Sequence, residues 1–249
     1  MKKYIIAAVP VVLALALAGC GKKQSSSSSA DNTPSADGNV SVVQDAEETQ
    51  NIIPVTEEKS YLLLVNKDNP IPSNWENDVQ IVVSKNSLGE NISFEKSTYS
   101  AYLYLKEALE AEGINIDVSC AYKSFNELNN MILNLTQQYD EEYAKQAVDT
   151  PGFSEYNTGL ALDLYLNIGG TDITDKEALA KETDTWAKIH EKLPEYGFIL
   201  RYPEGKEDVT GYSYQPWHIR YVGSAETAKE ITDKGIALEE YGGVIKANG

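Results

Sequence analysis

RYPEGKEDVTGYSYQPWHIRYVG, residues 201–223, gathers four tyrosines and the last tryptophan of the chain around Gln215, His218 and Arg220. His218 is one of only two histidines among 249 residues. Alone, so aromatic a run reads as a core strand with its flanking loop. A second stretch, SEYNTGLALD at residues 154–163, sharpens the question. From Gly159 onward it alternates, with Leu160, Leu162, Leu164 and Leu166 on one face and Ala161, Asp163 and Tyr165 on the other. That period of two predicts a strand. By pattern alone Asp163 is a solvated strand residue on its less apolar face.

Together the two stretches resemble the signature motifs of the VanY-type zinc D-alanyl-D-alanine carboxypeptidases, S-x-H-x-x-G-x-A-x-D and E-x-W-H. The resemblance extends over residues 61–223, beginning at YLLLVNK and the turn Asp68-Asn69-Pro70-Ile71-Pro72. It implies an α+β fold, a single domain of the hedgehog/DD-peptidase-like type with a small antiparallel sheet packed with helices. It also implies a zinc site of His, Asp and His with a Glu as base. Carried over residue by residue, those positions are Tyr156, Asp163, His218 and Gln215. Ser154 and Trp217 match the framework of the motifs and, with Lys123 and Ser124, occupy positions where the family meets substrate. Where the family carries Y-R-S and a Gln four residues after the Ser, this chain has Lys123 and Leu128. Lysine keeps the positive charge and loses the planar two-pronged grip on a carboxylate.

The substitutions fall on the chemistry. A zinc peptidase needs three protein ligands and an open position for water. A carboxylate then takes the proton of the attacking water. A phenol ionises near pH 10, about three units too high for easy ligation at neutrality. A glutamine amide is no base, and general-base catalysis is worth about 10²–10⁴ in rate. The expectation is weak or absent zinc and little or no carboxypeptidase activity, with the cleft kept for a peptidoglycan stem peptide or a wall-associated protein. An active enzyme with altered ligation, using an oxygen of Glu155 or Asn157, and a scaffold closed by Tyr156 remain the alternatives.

Before the domain, Lys2 and Lys3 precede a short apolar run and then Leu17-Ala18-Gly19-Cys20. This reads as a lipoprotein signal over residues 1–19, too short for a membrane span. Cys20 is the lipidation candidate, giving an extracytoplasmic, lipid-anchored protein. Residues 20–58, with five consecutive serines, lack the apolar content to offset ordering entropy and read as a tether. Residues 59–249 form the carboxypeptidase-like domain. Cys120 is then the one remaining cysteine and reads as a small buried hydrophobe. The net charge of −17 argues against nucleic-acid binding.

Along the domain, residues 61–67 and 79–84 read as extended, 99–112 as a helix stopped by Gly113, and 114–119 as a strand. Ser124 and Glu127 are spaced as a capping box for a helix with Leu128, Met131, Ile132, Leu135 and Tyr139 along one stripe. Thr174 and Glu177 suggest another box for a helix over 174–180, followed by helices over 184–196 and 224–234. His190, beside the stripe of the former, reads as a half-buried surface histidine. Replacing Cys20 by Ala should move the protein from the membrane fraction to the soluble one; unchanged membrane association would overturn the anchor.

Overall fold

The structure, a computed structural model, describes residues 60–71 and 79–246. The signal, Cys20 and the tether lie outside those residues. The alternating stretch after Gly159 becomes β4 (Ala161–Ile168), which pairs antiparallel with β3 (Asn115–Cys120) on one side and β7 (His218–Tyr221) on the other. β6 (Phe198–Leu200) extends the sheet beyond β7, and β5 (Thr171–Ile173) folds back on the end of β4. β1 (Ile81–Lys85) and β2 (Asn91–Glu95) form a separate antiparallel hairpin. The antiparallel sheets packed with helices are the α+β arrangement that the motifs implied.

One expectation about β4 needs correcting. Its two faces are not one apolar and one wet, because Ala161 to Leu166 are all buried. A central strand is covered on both sides, so alternation in sequence did not become alternation in exposure. The leucines enter the main core with Leu105, Leu109, Trp186 and Ile189.

Those partners come from α1 (Lys96–Ala111) and α5 (Thr183–Lys192). α1 starts three residues earlier than the expected residue 99 because Glu95 accepts from the backbone N–H groups of Ser97 and Thr98. α2 (Phe125–Gln138) has the capping box that Ser124 and Glu127 predicted. Of its stripe only Leu128 is buried, for its neighbour is the short α3 (Glu141–Ala147) rather than the sheet. α4 (Lys176–Leu179) is shorter than expected, and its cap is Asp175, accepting from Ala178 N–H, rather than Thr174. A one-turn α6 (Glu207–Thr210) precedes β7, and α7 (Ala225–Asp233), capped by Ser224, packs on β6.

The opening apolar run is not the expected strand. It forms a 3₁₀ turn, Ser60–Leu62, and a single parallel bridge from Leu63 to Ile245. Its carbonyls have another partner: the Arg220 guanidinium donates to Tyr61 O at 3.0 Å and to Leu63 O at 2.8 Å. The same guanidinium donates to Glu155 Oε1 at 2.7 Å, and Arg201 Nε reaches that oxygen at 2.8 Å. Arg201 also grips Glu239 with two bonds, of 2.8 and 2.6 Å. Both arginines are fully buried. Burial alone would raise the Glu155 carboxyl, but the two guanidiniums outweigh it and hold the group well below the usual carboxylate range.

Gly159 ends the 3₁₀ turn Glu155–Thr158 with φ 73°, in the left-handed region. A Cβ there would lie 2.7 Å from Glu95 Cβ and 3.3 Å from its backbone nitrogen. Gly159→Ala should therefore cost about 2–4 kcal/mol, backbone strain and overpacking together. Glu155→Gln, which leaves two buried guanidiniums without their shared anion, should cost about 3–5 kcal/mol. Denaturant unfolding measures both; a loss under about 1 kcal/mol for the second would mean that the arginines find their compensation elsewhere.

Candidate functional site

Strand register makes the centre of the site. Asp163 on β4 lies directly opposite His218 on β7, and Cys120 on β3 flanks Asp163 on its other side. Opposed residues of an antiparallel pair hold their Cβ atoms about 5 Å apart, so two residues 55 apart in the chain meet without any loop having to place them. His218 Nδ1 is 2.7 Å from Asp163 Oδ1. Tyr156, from the turn over Glu155–Thr158, brings its hydroxyl to 3.4 Å from the same nitrogen, its ring edge-on to the imidazole. Tyr202 stacks on that imidazole, ring centres 4.8 Å apart. Tyr156, Asp163 and His218 thus converge as the motif positions required.

The fourth neighbour was not foreseen. Lys176, the first residue of α4, donates to Asp163 Oδ2 at 2.8 Å and holds its ammonium 4.7 Å from the centre of the Trp217 ring. Burial would raise the Asp163 carboxyl, yet the Lys176 ammonium and the His218 hydrogen bond outweigh it and keep it well below the usual range. For His218, burial would lower the imidazole, but its hydrogen bond with Asp163 and the neighbouring Glu155 carboxylate prevail and raise it. Tyr156 is pushed far above an ordinary phenol, by burial first and by the Asp163 charge second. Burial also pushes the Cys120 thiol up to about 12, so it is no nucleophile.

The loop before β7 is braced from several sides. His190, half-buried and stacked on Trp186, donates its Nε2 proton to Pro216 O at 2.9 Å. Trp217 O accepts from Leu164 N–H, and Gln215 is fixed by its backbone to Tyr202 and His218. The other motif residues have settings of their own. Ser154 is buried at 1% exposure, and the Ser124 hydroxyl is engaged by Glu127 in the capping box. Lys123 is tied through its backbone, donating to Tyr156 O and accepting from the Asn157 amide at 2.7 Å. Leu128, at the family's glutamine position, is a core residue with 1% exposure.

A tetrahedral zinc site needs three available donors, and the residues present do not fit one. Both oxygens of Asp163 and the Nδ1 of His218 are engaged with each other or with Lys176. The third position offers a neutral phenol. Of the oxygens weighed as a replacement, that of Asn157 is spent, and the unpartnered Oε2 of Glu155 lies beside Nε2 of His218 rather than beside the Nδ1 that meets Asp163. Asn157 spends its amide on Gly152 N–H and Lys123 O. Glu155 is clamped by the arginines, and its remaining Oε2 faces His218 Nε2 at 3.7 Å. Among the described residues no three His, Cys, Asp or Glu side chains are grouped to hold a metal ion.

The architecture and the motifs have counterparts among known proteins. The VanY family, described as D-alanyl-D-alanine carboxypeptidase, matches residues 91–224, a span that includes Tyr156, Asp163, Gln215 and His218. The protein YodJ of Bacillus subtilis (strain 168) is 36% identical over 188 residues, covering 74% of this chain and 67% of its own length. The solved LdcB LD-carboxypeptidase, whose structure concerns peptidoglycan recognition, superposes with a TM-score of 0.63 at 32% identity over 81% of this chain and 94% of that one. A mutant of the vancomycin-resistance D,D-pentapeptidase VanY in complex with Zn(II) superposes with a TM-score of 0.55 at 31% identity, over 73% and 98% of the two chains. With a family match across more than half its length and these relatives on the same fold, the chain belongs to the VanY D-alanyl-D-alanine carboxypeptidase family.

Proposed function

We propose that this protein is a lipid-anchored, extracytoplasmic member of the family that has lost the carboxypeptidase reaction and uses the cleft to bind peptidoglycan stem peptides or a wall-associated partner. The observation that carries the reading is the state of the reacting centre: a glutamine where the base belongs, a phenol where a ligand belongs, and an Asp163 already neutralised by Lys176. The relatives lend the substrate class, since one is a D,D-pentapeptidase and another is described through peptidoglycan recognition.

The chain's own residues do the following in this reading. Trp217 offers an aromatic wall, half-buried and held by β4. Lys123 supplies a point charge for a peptide carboxylate, with looser geometry than a guanidinium. Gln215 donates or accepts one hydrogen bond and moves no proton. Tyr156 and His218 share hydrogen-bonding capacity with Asp163 and stay in place. Binding without turnover follows, because the groups that position a peptide persist while those that activate water do not.

The test uses a pentapeptide stem ending in D-alanyl-D-alanine, with zinc supplied. No D-alanine should be released, and saturable binding should appear in a calorimetric titration. Trp217→Ala should weaken that binding about tenfold or more, as truncation of a central aromatic anchor usually does. Release of D-alanine that a chelator abolishes would overturn the loss of activity. Neither release nor binding by the stem peptide or by wall fragments would leave only a scaffold.

A further inference from the structure

We infer that Lys176 is a built-in replacement for the metal: its ammonium supplies at Asp163 the positive charge that a bound dication would otherwise supply, and thereby keeps a dication out. Three observations carry this. The ammonium sits 2.8 Å from Asp163 Oδ2, on the oxygen that His218 does not use. It is confined there: the side chains of Lys176 and Asp163 are 21% and 10% exposed, and the Trp217 ring covers the ammonium at 4.7 Å. Its backbone is held as well, because Asp175 caps the helix that Lys176 begins and β5 pairs with β4 just upstream.

The charge balance makes the arrangement self-sufficient. A buried carboxylate with no cation beside it would lose its hydration without return. One ammonium restores neutrality, and an aromatic face stabilises the same cation from the other side. A dication approaching Asp163 must then displace Lys176 from both partners or be seated against a like charge in a poorly screened site. The substitution at Tyr156 and the presence of Lys176 are therefore two separate obstacles to metal, and restoring the histidine removes only one. This extends the reading of an inactive cleft but is tested without peptide or turnover, so it stands or falls apart from that reading.

The experiment titrates zinc into the full chain, purified in detergent, by calorimetry and by thermal melting. Wild type, Tyr156→His, Lys176→Met and the double variant Lys176→Met/Tyr156→His are compared. The expected result is no saturable zinc binding by wild type. The double variant should bind one zinc at least tenfold more tightly than Tyr156→His alone. In metal-free buffer Lys176→Met should melt below wild type, and zinc should raise the melting temperature of the double variant selectively. Stoichiometric zinc on the wild type, equal affinity of Tyr156→His and the double variant, or a folded double variant that ignores zinc would each overturn the inference. If Met at this position prevents folding, Lys176→Gln, which keeps a hydrogen bond to Asp163 without the charge, takes its place with the same expected ranking.

Discussion

A single buried carboxylate, Glu155, joins parts of the chain that are far apart in sequence. One of its oxygens accepts from both Arg201 and Arg220. Arg220 sits on β7 and holds the carbonyls of the opening segment; Arg201 follows β6 and holds Glu239 near the C-terminal end. Both guanidiniums are sealed from water. Ion pairs this deep add little net stability compared with apolar packing, but they tolerate few alternative arrangements. What they specify here is position: Glu155 precedes Tyr156, so the network that closes the fold also aims the tyrosine at His218.

Framework and reacting centre thus share their supports. The Asp163–His218 pairing follows from the register of β4 against β7, which is set by the buried leucines on one side and the arginine network at the end of the strand. The proposed loss of chemistry would not require loss of any of this. Tyr156 and Gln215 replace groups that act on substrate, while Gly159, whose Cβ would collide with Glu95, and Arg220, with its four recorded acceptors, act on the protein itself. Selection for folding alone would keep the second set and release the first.

An ammonium in place of a metal would also change how the cleft is held. A metal site owes its rigidity to coordination and depends on supply of the ion and on pH. The Lys176–Asp163 pair is made within the chain and needs no partner from solution. A cleft locked in this way would be prearranged for recognition, at the cost of the open position that hydrolysis requires.

Local signals in the sequence were legible where the interaction that makes an element lies inside a short segment. The capping box at Ser124 and Glu127 and the helix stop at Gly113 appear as read, because each is made within a few residues. The motif positions Tyr156, Asp163 and His218 were legible through the spacing of two stretches, and the structure brings those three together. What the sequence could not show depends on groups that meet across the fold. Residues 61–67 carry the pattern of a strand, but Tyr61 and Leu63 give their carbonyls to an arginine more than 150 positions away. β4 alternates yet is buried on both faces, since coverage belongs to the neighbours and not to the strand. Nothing in the sequence singled out Lys176; only the pairing of β5 with β4 and the turn into α4 bring it onto Asp163. The sequence by itself determined the family frame and which residues, Tyr156 and Gln215, stand at two of the motif positions, because those are matters of residue identity. The tertiary structure alone decided what neutralises the buried aspartate, because charge compensation is a matter of distance.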